Sequence, residues 1–462
     1  LRGGLSSDTT APETIVLARR ILAGIALVAF GGALLGVRCG DEIASTIFFD
    51  VAWWSYIVFV DALVHRRRGS SLLLSRPRAF ALLAIWSAAF WLFFEVVNFR
   101  LQDWYYVGVP REEPVRSVGA FVSYATVLPA IFETGALLES WRVFEGVRCA
   151  RWNVSKRGRA WIFRLGVACL VLPLCFPRQA FPLVWGAVAL LAESWLDRRA
   201  LHESPHAENT SREARRGTHP VRGLLAALRA GRLDVVVRWL SAGLVCGVLW
   251  ETWNSLAAAR WIYTVPNFEG TKIFEMPLAG FLGFPPFALE CYSFGRVLVA
   301  LRLVPDWESP MLESDRGSRD STRRRLGAIA AAAFILPAIL GVESLTVRAT
   351  RSMVDEIPGA SAAFVANCRR AGIFSAAQLL AAESRSDEAS LFRGIDPEER
   401  RRILATARLM EVRGLGRRGL RLLAQAGVES IDDLARSDPD ELYRRMNRSA
   451  PELAPPPTPA EV

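Results

Sequence analysis

Nine apolar runs, most about 17 to 25 residues long, punctuate residues 15–347 of a 462-residue chain. They lie at roughly 21–37, 47–64, 79–99, 118–140, 161–176, 180–196, 239–258, 273–301 and 327–347. A helix of that length crosses about 30 Å of hydrocarbon. Inside lipid, each backbone N–H and C=O has to be satisfied within the protein, which restricts spanning segments to helices or closed barrels. Runs this long and continuous select helices. The expected fold is all-α: a polytopic helical membrane bundle of about 8–9 spans followed by a small helical domain. With 52% hydrophobic and 22% charged residues, the chain is neither disordered nor composed like an ordinary soluble enzyme.

Arginine sets the expected orientation. Loops 65–78, 141–160, 197–234 and 302–325 carry 25 Arg or Lys residues, against 7 in loops 38–46, 100–117, 177–179 and 259–272. The positive-inside rule puts the first set in the cytoplasm and the second outside. Trp104, Tyr105, Trp261 and Tyr263 sit in the outer loops, as interfacial aromatics do. The first span follows Arg19-Arg20 and reads as a retained signal anchor in a multi-pass protein of the bacterial inner (plasma) membrane. Nine crossings put the C-terminal region outside. A bend or re-entry at 273–301, broken by Pro277, Pro285 and Pro286, would return it to the cytoplasm, so its side stays open.

Cysteine and histidine exclude several chemistries. The seven Cys show no CxxC spacing, and most lie in or beside apolar runs, where a free thiol behaves as a small hydrophobe. The four His all fall in Arg-rich loops. No metal site and no cofactor is expected.

The membrane part reads as a parallel tandem duplication, with copies at about 47–140 and 180–301. Trp91-Leu-Phe-Phe-Glu95-Val-Val-Asn98 aligns with Gly247-Val-Leu-Trp-Glu251-Thr-Trp-Asn254, and Pro129-Ala-Ile-Phe-Glu133 with Pro286-Phe-Ala-Leu-Glu290. Phe49, Trp53 and Asp61 align with Phe181, Trp185 and Glu193. Each copy thus carries an acid near the cytoplasmic end of its first span (Asp61, Glu193), Glu-x-x-Asn in its second and a Glu in its third. Glu and Asn three apart share one helix face. An ionisable side chain at membrane depth costs about 2.5–3.5 kcal/mol on insertion scales, so it faces the protein interior and usually has a task. These eight residues are candidates for substrate binding or proton coupling. Interhelical hydrogen bonding is the competing reading. Glu139 and Glu145 read as interfacial, and Arg296 as snorkelling.

From residue 348 the composition changes. Ile357-Pro-Gly359 with Ala371-Gly372-Ile373-Phe-Ser375 recurs 55 residues later as Val412-Arg-Gly414 with Ala426-Gly427-Val428-Glu-Ser430. Gly suits the tight hairpin, and Ser375 and Ser430 stand where a helix needs a cap. The region 348–446 resembles the tandem helix-hairpin-helix domain of an uncharacterised bacterial family and, more distantly, accessory domains of DNA polymerases and ligases. The membrane part resembles an uncharacterised bacterial multi-pass family through Trp261-Ile-Tyr263-Thr-Val-Pro266 and Phe274-Glu-Met-Pro277. In DNA-binding relatives the hairpin amides hold phosphate. The resemblance would give that role, or the binding of a partner, to Gly414 and Gly416 with Arg413, Arg417 and Arg418 nearby. Residues 348–462 hold 18 Arg and 17 acids, a balance that speaks against nucleic acid and for a protein partner through 348–446. Residues 1–14 and 447–462 read as disordered ends.

Three functions follow from these residues. The first is binding or transport of a small or amphipathic solute at a polar cavity between the repeats. The second is a membrane-embedded enzyme acting on a lipid or isoprenoid, faintly similar to membrane lycopene cyclases. The third is a scaffold that recruits a partner through its tail. The sequence leaves open whether the chain is an enzyme.

Overall fold

A computed structural model describes residues 10–203, 221–265, 272–308, 317–347, 349–384, 388–412 and 415–448. The architecture is all-α, and among the described residues the strands are two or four residues long. The chain forms two compact units, residues 1–103, 117–257 and 266–342, and residues 104–116, 258–265 and 343–462.

The first unit is a helical bundle. It holds α1 (Thr10–Arg38), α2 (Glu42–Arg68), α3 (Leu72–Ser75) and α4 (Pro77–Leu101). A span broken once follows, of α5 (Glu113–Tyr124) and α6 (Val127–Ser140). Then come α7 (Lys156–Cys175), α8 (Pro177–Ala180), α9 (Ala187–Glu203), α10 (Leu224–Arg229) and α11 (Leu233–Leu256). The last two are α12 (Phe284–Ala300) and α13 (Gly317–Leu345). Among the described residues, seven helices are long and apolar enough to cross a membrane, and eight if the bent pair Pro177–Val184 and Ala187–His202 is one span. The boundaries follow local chemistry. Asp41 caps α2 by accepting from the Ala44 N–H at 2.7 Å, and Gly69, at φ 74°, ends it after His65, Arg66, Arg67 and Arg68. That basic last turn suits both the helix dipole and the charge rule. Pro77 opens α4 at a position where its missing N–H does no harm.

Two expected spans differ in detail. The run at 180–196 is not one straight helix but bends by 44° around Trp185-Gly186. The run at 273–301 starts with a short hairpin (β3, Lys272–Ile273; β4, Met276–Pro277) and a 3-10 turn at Leu278–Gly283. Its α-helix begins only at Phe284, because Pro285 and Pro286 fit the first turn of a helix and no later one.

Within the bundle α1 packs on α2 and α7 on α9, α2 packs on α6 and α9 on α12, and α4 packs on α6 and α11 on α12. Lipid tails are as apolar as Leu, so close packing rather than water exclusion holds such helices together. Several aromatic pairs cross the bundle. Trp53 of α2 meets Trp250 of α11 with ring centroids 5.2 Å apart, and Trp185, just before α9, meets Phe94 of α4, also at 5.2 Å. Pairs like these are worth about 0.5–1.5 kcal/mol beyond the area they bury. At Gly243 of α11 an added methyl would strike the Phe284 carbonyl oxygen, so a bare backbone there sets the α11–α12 approach.

The second unit begins with β1 (Trp104–Val107) and β2 (Arg260–Tyr263), paired antiparallel with Trp104 opposite Tyr263, Tyr105 opposite Ile262 and Tyr106 opposite Trp261. The chain after α13 adds a parallel edge. The Tyr106 N–H donates to the Thr346 carbonyl at 2.8 Å and the Arg351 N–H to the Val109 carbonyl at 2.9 Å. Gly108, at φ 64°, lies so near the Ala258 carbonyl that no side chain fits. Glu343, an odd acid in an apolar run, pairs with the Arg116 guanidinium at 2.7 Å.

The tail packs α14 (Ala362–Arg370), α15 (Ala376–Ser384), α16 (Glu388–Leu391) and α17 (Pro397–Met410) with α18 (Gly416–Gln425), α19 (Ile431–Arg436) and α20 (Pro439–Arg448). Their apolar faces meet in one core around Phe364, Leu379, Ile403, Leu423 and Leu442. Asp396 caps α17 ahead of Pro397. Ser375 and Ser430 each accept the N–H three residues on, at 3.2 and 3.1 Å, and Gly372 and Gly427 take φ 71° and 78°.

Candidate functional site

All eight polar residues singled out from the sequence are buried, none more than 5% exposed. Their partners divide them into different jobs.

Asp61 and Glu193 share one. Asp61 accepts from the Ser71 hydroxyl at 2.9 Å and from the Leu73 and Leu74 N–H groups at 2.6 and 3.2 Å. It thereby satisfies orphan donors at the start of α3, in an Arg-rich loop. Glu193 accepts from the Ser293 hydroxyl at 2.7 Å and the Leu225 N–H at 2.9 Å, and also from the Leu224 N–H. It serves the start of α10 in the same way. Gly223 is bare because a side chain there would fill the Glu193 carboxylate position.

Glu290 caps a break. Its carboxylate accepts from the Val188 N–H at 2.8 Å, with the Gly186 and Ala189 amides also turned to it, where α9 restarts after the bend. The helix end left open by the bend is closed by a side chain from α12. Asn98 closes another end. Its side-chain oxygen accepts the Asp103 N–H at 2.8 Å, while its carbonyl accepts the Gln102 N–H. Glu95 accepts from the Trp91 indole N–H at 2.8 Å. Glu251 and Asn254 lie on the corresponding stretch of α11, fully buried.

Glu133 has no capping job. It aligns with Glu290, but α2, the helix it faces, is unbroken and offers no free amide. Neither Glu133 oxygen meets a hydrogen-bond donor among the described residues. Its carboxyl lies within hydrogen-bonding reach of Asp61, with Tyr56 and Arg68 of α2 in electrostatic range. Beside it the Thr134 hydroxyl donates to the Ala130 carbonyl, so it accepts from the Tyr56 hydroxyl at 2.8 Å. Cys246 of α11 approaches Thr134 at 3.2 Å.

The structure therefore places Asp61 and Glu133 near each other, within residues 47–140. The described partners of Glu193 and Glu290 lie within residues 180–301. Tyr56, Thr134 and Cys246 were not singled out from the sequence. The available signal was a hydroxyl next to Glu133 and a Tyr five residues before Asp61, each inside an apolar run.

Charged groups at the helix ends form ion pairs. Glu139 holds Arg68 at 3.0 Å and Arg238 at 2.6 Å, in keeping with an interfacial position. Arg296 does not snorkel. It is buried, bonded to Asp306 at 2.9 Å and the Arg222 carbonyl at 3.2 Å, with Glu308 at 3.3 Å. Acids in the adjoining loop make burial less costly than a route to the interface. Just past the end of α4, burial pushes the Asp103 carboxyl up to about 7.

Arg413 and Gly414 fall outside the described residues. Gly416, Arg417 and Arg418 open α18, with side chains outside the described set. Among the described residues no group of three His, Cys, Asp or Glu side chains could hold a metal ion.

Residues 358–454 match a family described as a domain of unknown function, DUF4332. The match covers the C-terminal helical region alone. No curated protein and no solved structure matches the chain.

Proposed function

We propose that this is a duplicated multi-pass protein of the bacterial inner (plasma) membrane that binds or carries a small or amphipathic solute, with Glu133 as its working carboxyl. The observation that carries this reading is the burial of Glu133 without a capping partner. Buried membrane acids are expensive, and the neighbouring acids offset that expense by closing helix ends. Glu133 does not, and a side chain kept at such a cost without a structural return marks a binding site. The site would lie within the first copy, against α2, rather than midway between copies. A thermal-unfolding screen of the purified protein against amphiphiles and small polar solutes tests this. A ligand at 100 times its Kd stabilises by about 2.7 kcal/mol, and Glu133→Gln should abolish the shift while leaving the unliganded protein folded. A hit that stabilises both forms equally would sink the proposal.

Three observations support the duplication. The aligned strands β1 and β2 pair in a register in which Trp104 faces Tyr263, the counterpart of Val107, and Tyr105 faces Ile262, the counterpart of Tyr106, as a two-fold axis between the Tyr105–Ile262 and Tyr106–Trp261 pairs requires. The aligned pairs Trp53–Trp250 and Trp185–Phe94 have equal ring separations. The α1–α2 packing recurs as α7–α9, which extends the repeat to include the first span of each half. The tandem helix-hairpin-helix reading of the tail draws support from paired serine caps and positive-φ glycines 55 residues apart.

Orientation follows from charge and connectivity. The Arg-rich loops mark the cytoplasmic side. β1 begins three residues after α4 ends and β2 four after α11 ends, both at helix ends remote from those loops. The tail is hydrogen-bonded to β1 through Thr346 and Arg351. These facts favour an external tail and a protein partner outside the cytoplasm over nucleic acid.

A further inference from the structure

Arg296, near the end of α12, is buried, and its acid partners come from a loop rather than from a packed helix. The chain leaves α12 through Arg302, at φ 61°, a conformation few side chains adopt. Val304 is buried and anchors the return. Beyond it, no backbone–backbone hydrogen bond holds residues 305–308 among the described residues. Side chains hold them instead. Arg296 Nη1 donates to Asp306 at 2.9 Å and lies 3.3 Å from Glu308, and the Arg76 guanidinium donates to the Asp306 carbonyl at 3.1 Å. The Trp307 ring stacks on Phe132 of α6 with centroids 5.0 Å apart, and the Arg296 guanidinium lies over it at 5.8 Å. The slot between α6 and α12 admits Trp307 because residue 295 is Gly, where a side chain would strike both rings.

This pairing is poor for so buried a guanidinium. Arginine holds a carboxylate best through two parallel N–H bonds. Here Asp306 and Glu308 both crowd onto Nη1, and Nε is taken by the Arg222 carbonyl at 3.2 Å. Nη2 meets no acceptor among the described residues. The Asp306 and Glu308 side chains are 26% and 36% exposed, so water competes for them, while that of Arg296 is 5% exposed. A cation kept at such depth with half of its fork unused is built for a better acid than the loop supplies.

We propose that Arg296, Phe132 and Gly295 form a binding site for an amphiphile that carries a carboxylate beside a flat apolar group, and that Asp306-Trp307 fills this site as an internal stand-in. The ligand carboxylate takes Nη1 and Nη2 together. Its apolar body replaces the Trp307 indole on Phe132, and residues 305–308 lift away. Asp306 and Glu308, already partly exposed, turn into water. The site rests on Arg296 and not on Glu133, so it goes beyond the proposed function and does not depend on it.

Equilibrium binding of radiolabelled indole-3-propionate to the full-length protein in nanodiscs tests this. Trp307→Ala deletes the stand-in and should bind about tenfold more tightly than the wild type, because the competing stack is lost. Asp306→Asn, which weakens the same closure, should also bind more tightly. Arg296→Gln combined with Trp307→Ala should abolish binding. If that protein does not fold, Arg296→Lys serves, since it keeps the charge without the fork and should weaken binding. No binding by Trp307→Ala, binding no tighter than in the wild type, or binding indifferent to the Arg296 changes would overturn the site. Displacement by oleate would mark the natural carboxylate as lipid-borne, and failure of oleate to displace would mark it as a free solute. Displacement by tryptamine, which has the opposite charge, would overturn the site. Glu133→Gln should leave this binding unchanged, so failure here and failure of the Glu133 reading are read from different variants.

Discussion

Asp103→Asn should change how stability depends on pH. Asp103 is 4% exposed, lies just beyond α4, and one of its carboxyl oxygens has no hydrogen-bond partner among the described residues. Burial penalises the charged form and raises its pKa from 3.8 to about 7. The native state therefore binds this proton more tightly than the unfolded chain does. The resulting stabilisation is fully present below the unfolded pKa, declines as pH rises, and is gone once pH passes through about 7. Over the whole interval the shift corresponds to about 4 kcal/mol. Asparagine carries no titrating proton, so the variant escapes this decline. It adds a buried donor that lacks an acceptor, a penalty of about 1–3 kcal/mol that does not vary with pH. The informative quantity is thus the divergence of the two curves rather than their offset. Thermal unfolding in micelles, followed by the fluorescence of the 15 Trp residues, should be recorded from about pH 4.5 to about pH 8.5. Relative to the wild type, Asp103→Asn should gain steadily, by about 3 kcal/mol across this interval, the first ~1 kcal/mol of the shift lying below pH 4.5. Curves that stay parallel would refute the assignment of a buried, proton-holding carboxyl.

Further outcomes follow from the packing. Gly108→Ala should cost about 1–3 kcal/mol, since its φ is positive and the Ala258 carbonyl occupies the space; loss of protection at β1 and β2 in hydrogen exchange would report it. Glu290→Ala should cost about 1–2 kcal/mol by uncapping α9, with increased exchange at Val188 and Ala189, whereas Glu290→Gln should lose less because its carbonyl still accepts; equal losses would contradict capping. An alkaline phosphatase fused after the tail should be active and a fluorescent protein at the same point dark, with the reverse result for fusions in 141–160; a cytoplasmic tail would invert the pattern.

The spans were legible because a bilayer-length apolar run has one structural outcome. Arginine made the alternation of loops legible for the same reason. What periodicity could not reveal was the use of each acid. Glu133 and Glu290 occupy matching positions in similar runs, yet one finds free amides and the other an unbroken helix. That contrast is decided by the bend at Trp185-Gly186, on a different helix 100 residues away in sequence. Arg296 read as snorkelling because Asp306 and Glu308, ten and twelve residues on, lie outside any helical spacing. The start of α12 was hidden by apolar residues that continue through 278–283, where the chain forms a 3-10 turn.

The pairing of β1 with β2 bears on ancestry. A strand four residues long satisfies its backbone only by meeting another edge. Under the proposed duplication, a half-length forerunner had a single such strand and no internal mate for it. Two identical chains meeting about a dyad would pair these strands in the register now seen between Trp104–Val107 and Arg260–Tyr263. The present chain would then descend from a homodimer whose subunits became one polypeptide. Such a fusion would free the two halves to diverge, so that one could turn its acids into permanent fasteners while the other kept a carboxyl unspent.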